Sequence, residues 1–157
     1  SDVFPGEVAR VSIFKKAMTD AEIATLASGR DALSETDATC IYTGKPEMGS
    51  ALPIKPGWTS KSELTVEVWV KPVGHGRILD KITVGGGDGF LIDIVGANQI
   101  RTIIGPRVEG HSEGQNSVIE LNQWVHVALV LNTALKNAVV YIHGKRAYEM
   151  QDLPVSY

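Results

Sequence analysis

Leu64-Thr65-Val66-Glu67-Val68-Trp69-Val70-Lys71 alternates from residue to residue and stops at Pro72-Val73-Gly74. Side chains along a β-strand point to opposite faces in turn, so this period of two describes a strand with one buried side. Leu64, Val66, Val68 and Val70 share the face assigned to a core. Thr65, Glu67, Trp69 and Lys71 share the other.

The same texture continues toward the C-terminus. Residues 77–81 read as a short strand closed by the loop Gly85-Gly86-Gly87-Asp88-Gly89. Residues 90–95 and 99–104 form a predicted hairpin around Gly96-Ala97-Asn98, followed by a polar loop over 109–117. Residues 124–131 make the strongest strand, with Val125, Val127, Leu129 and Leu131 facing the core and Trp124, His126 and Ala128 facing out. Residues 138–143 pair with it, and Gly144-Lys145 turns the chain into 146–150.

Upstream, residues 30–61 are polar and rich in Gly, Pro, Ser and Thr, with short strands expected at 39–42 and 50–54. Before them lies one helix. Thr19-Asp20-Ala21-Glu22 fits a capping box, Ile23 and Leu26 supply an apolar stripe, and Gly29 stands where a left-handed C-terminal cap would fall. At about ten residues such a helix is marginal alone and must dock on something. Residues 7–14 form the first predicted strand, with Val11 and Ile13 on one face and Arg10, Ser12 and Phe14 on the other. Strands at roughly 10- to 15-residue spacing with one small helix predict an all-β antiparallel sandwich of the jelly-roll kind; a parallel α/β fold needs a helix after most strands.

Composition narrows the function. The chain has 157 residues, enough for one domain with a real core, and 43% hydrophobic with 21% charged residues excludes disorder. Net charge is −3 and no basic run exceeds Lys15-Lys16, so nucleic acid is not an expected partner. Cys40 is the single cysteine, which removes intrachain disulfides and Cys-based metal motifs. No apolar run approaches the roughly 20 residues of a membrane span. Ser1-Asp2-Val3-Phe4-Pro5-Gly6 lacks signal-peptide character, so an exported protein is expected to be represented by a mature or excised piece.

Three segments, in this order, resemble laminin-G-like domains of the concanavalin A-like lectin/glucanase superfamily. They are the strand from Leu64 ending in Trp69-Val70-Lys71-Pro72; Trp124-Val125-His126-Val127-Ala128; and Tyr141-Ile142-His143-Gly144-Lys145, with His143 where an Asp is usual. A fourth segment, residues 4–14 followed by Ala17-Met18-Thr19-Asp20-Ala21-Glu22-Ile23, looks like that family's final strand and closing helix, yet here it comes first. Two organisations fit: a circularly permuted single domain over 1–157, or a main sandwich over 34–157 preceded by the tail of another repeat over 1–33. The single closed domain is preferred, because an empty strand position would leave an exposed edge.

The resemblance implies a non-enzymatic module, secreted or at the cell surface, that binds glycan or an extracellular protein; the alternative is a structural spacer or protein-interaction domain. Glu67, Trp69, Trp124 and His126 are expected together on an outer sheet face, where indoles can stack on sugar C–H faces and carboxylate and imidazole can bond hydroxyls. The same residues would also satisfy one another beneath a helix or loop. The loops supply His75, Arg77 and His111 as polar candidates and Trp58 as an aromatic one. Relatives of this kind hold a structural calcium, for which Glu7 stands about where the family has an Asp; Asp80 is the second candidate ligand, and Asp37, Asp88 and Asp93 are further carboxylates without EF-hand spacing.

Other chemistries find no support in the pattern. The glycine triplet lacks the Gly-Lys-Ser/Thr ending of a phosphate loop, and the four histidines are too scattered for a zinc pair. Glucanases of this fold carry a Glu-x-Asp-x-x-Glu strand, placing two carboxylates about 5–5.5 Å apart for a retaining mechanism. Glu67 has no such partner in sequence. No elbow motif accompanies a nucleophilic Ser or Cys40.

Overall fold

The computed structural model describes residues 5–31, 33, 37–47, 49–53, 63–82, 89–105, 108–111 and 119–153. Among the described residues, ten strands and one helix follow in the order β1 (Gly6–Phe14), α1 (Asp20–Leu26), β2 (Cys40–Gly44), β3 (Leu64–Pro72), β4 (Gly76–Ile82), β5 (Gly89–Val95), β6 (Gln99–Ile104), β7 (Val108–His111), β8 (Val125–Asn132), β9 (Asn137–Ile142) and β10 (Lys145–Met150). They build two antiparallel sheets, of order β10-β9-β8-β3-β1-β2 and β4-β5-β6-β7.

The period-two pattern places the core. Val66, Val68, Leu129, Val127 and Val140 from the large sheet meet Phe90, Ile92, Ile94, Ile100 and Ile104 from the small one, all buried. β1 lies inside the large sheet, hydrogen-bonded to β3 on one side and β2 on the other. It contributes Val11 and Ile13 to the core and turns Arg10, Ser12 and Phe14 to the opposite face.

That opposite face is not open. Helix α1 lies across it, and Ile23 and Leu26 pack with Phe14, Met18, Cys40, Ala128, Val130, Val139 and Tyr141 in a second apolar cluster. The helix starts as its sequence dictates: Thr19 Oγ1 accepts from the Glu22 amide at 3.2 Å, and the Glu22 carboxylate accepts from the Thr19 amide at 3.1 Å. Asp20 ties the first turn to the sheet by accepting from Tyr141 Oη at 2.5 Å and Arg146 Nε at 3.0 Å.

Several expectations need correction. The helix is seven residues long and is capped at Ala27, in an ordinary right-handed conformation, so Gly29 is not a left-handed cap. Its carbonyl is used elsewhere, as an acceptor for Arg10. Residues 109–111, expected in a loop, belong to β7 (Val108–His111); residues 50–53 form no strand. The β9–β10 hairpin turns on His143 (φ 54°) and Gly144 (φ 78°), two left-handed residues that match the twist of the flanking strands.

Gly144 also receives the helix. A Cβ built there would lie 3.0 Å from Ala27 Cβ and 3.3 Å from Ala24 Cα. Gly144→Ala combines left-handed backbone strain with that crowding, so a loss of about 1–3 kcal/mol is expected in thermal or denaturant unfolding.

Candidate functional site

Beneath α1 three charged or titratable side chains converge from three adjacent strands. Arg10 of β1 pairs across the sheet with Trp69, and Trp69 with His126 of β8; Glu67 lies two residues back on β3. All point to the outer side of the large sheet, as alternation requires. Arg10 is 2% exposed, and Glu67 and His126 are 0% exposed. The Arg10 guanidinium donates Nε to Glu67 Oε2 at 2.9 Å and Nη2 to Oε1 at 2.5 Å, a bidentate pairing. His126 Nε2 lies 2.9 Å from Glu67 Oε1.

Burial by itself pushes the Glu67 carboxyl up, but hydrogen bonds from His126 and Arg10 outweigh it and hold the group below the usual glutamate range. With Glu67 ionised, the proton of a neutral His126 ring sits on Nε2. Nδ1 is then an acceptor with no hydrogen-bond partner among the described residues.

Arg10 has donors left over, and these hold the segment after the helix. Nη2 donates to Leu26 O at 2.8 Å, and Nη1 donates to Gly29 O at 3.0 Å and Asp31 O at 2.7 Å. A cation at the carbonyl end of α1 also complements the helix dipole. Glu67, Trp69 and His126 meet on one outer face, with Trp124 just ahead of β8, but that face is not open. Helix α1 and residues 27–31 cover Glu67 and His126, and the carbonyls of Leu26, Gly29 and Asp31 take up the remaining Arg10 donors.

Toward the Lys71 end of β3 the character changes. Trp69 and Trp124 are half-buried. Trp69 packs its ring against His126, with centroids 5.3 Å apart and planes tilted by 56°, and donates Nε1 to Leu26 O at 3.4 Å. Trp124 immediately precedes β8. Its ring lies under the guanidinium of Arg30, with Cζ 4.8 Å from the centroid. Lys71, at the end of β3, is half-buried and pairs loosely with exposed Glu7 at 3.8 Å. Arg30 was not singled out in sequence: it follows Gly29 in a stretch that reads only as a polar connection.

The remaining candidates fall on the small sheet. His75 is exposed, with Nε2 3.0 Å from Asn98 Oδ1 in the β5–β6 turn. Arg77 is exposed on edge strand β4 and bonded to Asp80. Arg77 pairs in register with Asp93, Asp93 with Arg101 and Arg101 with His111, giving a row of polar residues across all four strands. Within it Arg101 donates to the buried carboxylate of Asp93 at 3.0 Å and 2.5 Å. Trp58 and Asp88 lie outside the described residues. The two candidate metal ligands are not brought together: Glu7 is on β1 of the large sheet beside Lys71, and Asp80 is on β4 of the small sheet beside Arg77. Asp37 is engaged by Thr39 and Lys16. Among the described residues, no three His, Cys, Asp or Glu side chains group as metal ligands.

The carboxylates make stability pH-dependent. Asp20, held down by Tyr141 and Arg146, Glu22, held down by Lys16 and Thr19, and Asp37, held down by Thr39, join Glu67 in having lowered values. A lowered carboxyl contributes stability above its unfolded-state value and loses it as pH falls through its folded value. The melting temperature is therefore expected to be level above about pH 5 and to fall below about pH 4.5, with Glu67→Gln reducing the slope in that window.

The Laminin_G_3 family model, described as concanavalin A-like lectin/glucanases superfamily, matches residues 48–155. No curated protein and no solved structure matches the chain.

Proposed function

The chain belongs to the concanavalin A-like lectin/glucanase superfamily, and from that premise we propose that it is a non-catalytic glycan-binding or adhesion module of a secreted or surface protein. Its binding surface is centred on Trp124, just before β8, and the exposed Arg30 over its ring. The observation that carries this reading is Trp124, a half-buried indole at the surface beneath an exposed guanidinium. A half-buried indole with a guanidinium over its ring offers a sugar apolar surface at the ring's rim for C–H groups and N–H donors for hydroxyls. A non-catalytic role accords with Glu67, the carboxylate nearest the site, which is sealed under α1 by Arg10 and His126. The module is taken to act as one closed unit over 1–157, with β1–α1 as its closing segment.

Titration of tryptophan fluorescence with a panel of neutral and acidic oligosaccharides, with calcium and with chelator, tests this. A saturable change with one sugar class, abolished in Trp124→Leu, is the expected result. Loss of that change on chelation would assign a calcium ion to the binding state. No response from the folded protein across the panel would overturn the glycan reading in favour of a structural or protein-binding domain, a role for which the complete cover over Glu67 and His126 already speaks.

A further inference from the structure

Arg30 is the one residue of the surface patch whose position is built from below. Arg10 donates to the carbonyls of Gly29 and Asp31, the two residues that bracket it. Arg10 is itself fixed by the bidentate pairing with buried Glu67, and Glu67 by His126. The chain of contacts thus runs from a sealed ionic cluster in the sheet to the backbone on either side of one exposed side chain. That side chain then lies on the face of Trp124.

A guanidinium set over an indole gains cation–π attraction without spending any of its five N–H donors. Among the described residues Arg30 makes no hydrogen bond and no ion pair; its contact is the ring. The neighbouring Asp31 is exposed and is held by its carbonyl, with no ion pair to Arg30. A planar fork of free donors, on a backbone held on both sides by Arg10, matches the two oxygens of a carboxylate or sulfate.

We propose that Arg30, stacked on Trp124 and positioned by Arg10, is an oxyanion-binding subsite, and that the glycan bound here is an acidic one, carrying a carboxylate or sulfate on the ring next to the indole. The proposal rests on the glycan-binding reading above and narrows its ligand class. Trp124 supports the guanidinium and offers its rim to apolar sugar atoms, and Arg30 supplies the charge-assisted hydrogen bonds. Glu67 and His126 never touch the ligand; they act through Arg10 as positioning residues.

The test uses the intact chain and three probes: oligogalacturonate, the same oligomer methyl-esterified so that its rings carry no charge, and polyglutamate of similar length. Oligogalacturonate is expected to give a saturable change in tryptophan fluorescence that weakens with added salt, and esterification is expected to cost about tenfold in affinity or more. Arg30→Gln should remove that preference, so that the charged and esterified oligomers bind alike. Arg30→Lys should restore it only in part, because an ammonium lacks the fork. Both substitutions are at an exposed position, and circular dichroism verifies the fold. Equal binding of the two oligomers by the unsubstituted protein, or an undiminished preference in Arg30→Gln, would overturn the subsite while leaving the glycan-binding function standing. Polyglutamate bound as tightly through Arg30 would move the oxyanion from a sugar to a protein partner. Failure of every saccharide to bind would bring down the broader function and the subsite with it.

Discussion

Arg10→Met is expected to lower the unfolding free energy by about 3–5 kcal/mol, the loss typical of removing one partner from a buried ion pair. The methionine fills much of the same volume, so packing is not the main term. What is left behind is the Glu67 carboxylate, 0% exposed, with only the His126 hydrogen bond, the carbonyls of Gly29 and Asp31 without their donor, and that of Leu26 with only Trp69 Nε1. The unfolding midpoint in guanidinium chloride at pH 7 measures the effect. The double substitution Arg10→Met with Glu67→Leu should recover part of the loss, since two apolar side chains of similar size need no compensation. Arg77→Ala, which breaks a pair on exposed edge strand β4, is the control and should change stability by no more than about 1 kcal/mol. An Arg10→Met loss as small as that of Arg77→Ala would show that the cluster is not what holds α1 and residues 29–31 to the sheet.

Leu129→Ala is the second large effect, at about 2–5 kcal/mol. Leu129 is 0% exposed in the middle of β8, flanked in register by Val66 on β3 and Val140 on β9, and it faces the small sheet across the core. Removing its branched end leaves a void between two sheets whose backbones are fixed by ladders on both sides, so the site cannot collapse to fill it. The drop should appear as a lower denaturant midpoint with little change in slope, because the surface exposed on unfolding is nearly the same.

These two substitutions mark the two sides of the large sheet, and the two sides were not equally legible. On the inner side, the alternation of Leu64, Val66, Val68 and Val70 with that of Val125, Val127, Leu129 and Leu131 was sufficient to name the core, since period two admits one assignment once a face is apolar. The same alternation put Glu67, Trp69 and His126 together on the outer side. It could not reveal what lies over them. Arg10 reads only as an outward residue on a strand about 57 positions from Glu67 in sequence, and that distance is closed by the pairing of β1 with β3. Thr19 and Glu22 announce the start of α1, whereas its early end at Ala27 is settled by docking. Gly29 is freed from capping because its carbonyl is needed by Arg10.

Local sequence thus determined the all-β class, most strands, the buried faces and the helix start, because these follow from side-chain alternation and capping chemistry within a few residues. Tertiary structure decided the rest: the inner place of β1, the cover over Glu67 and His126, and the stacking of Arg30 on Trp124. Each depends on residues distant in sequence meeting in space, and on which buried charge must find its partner there.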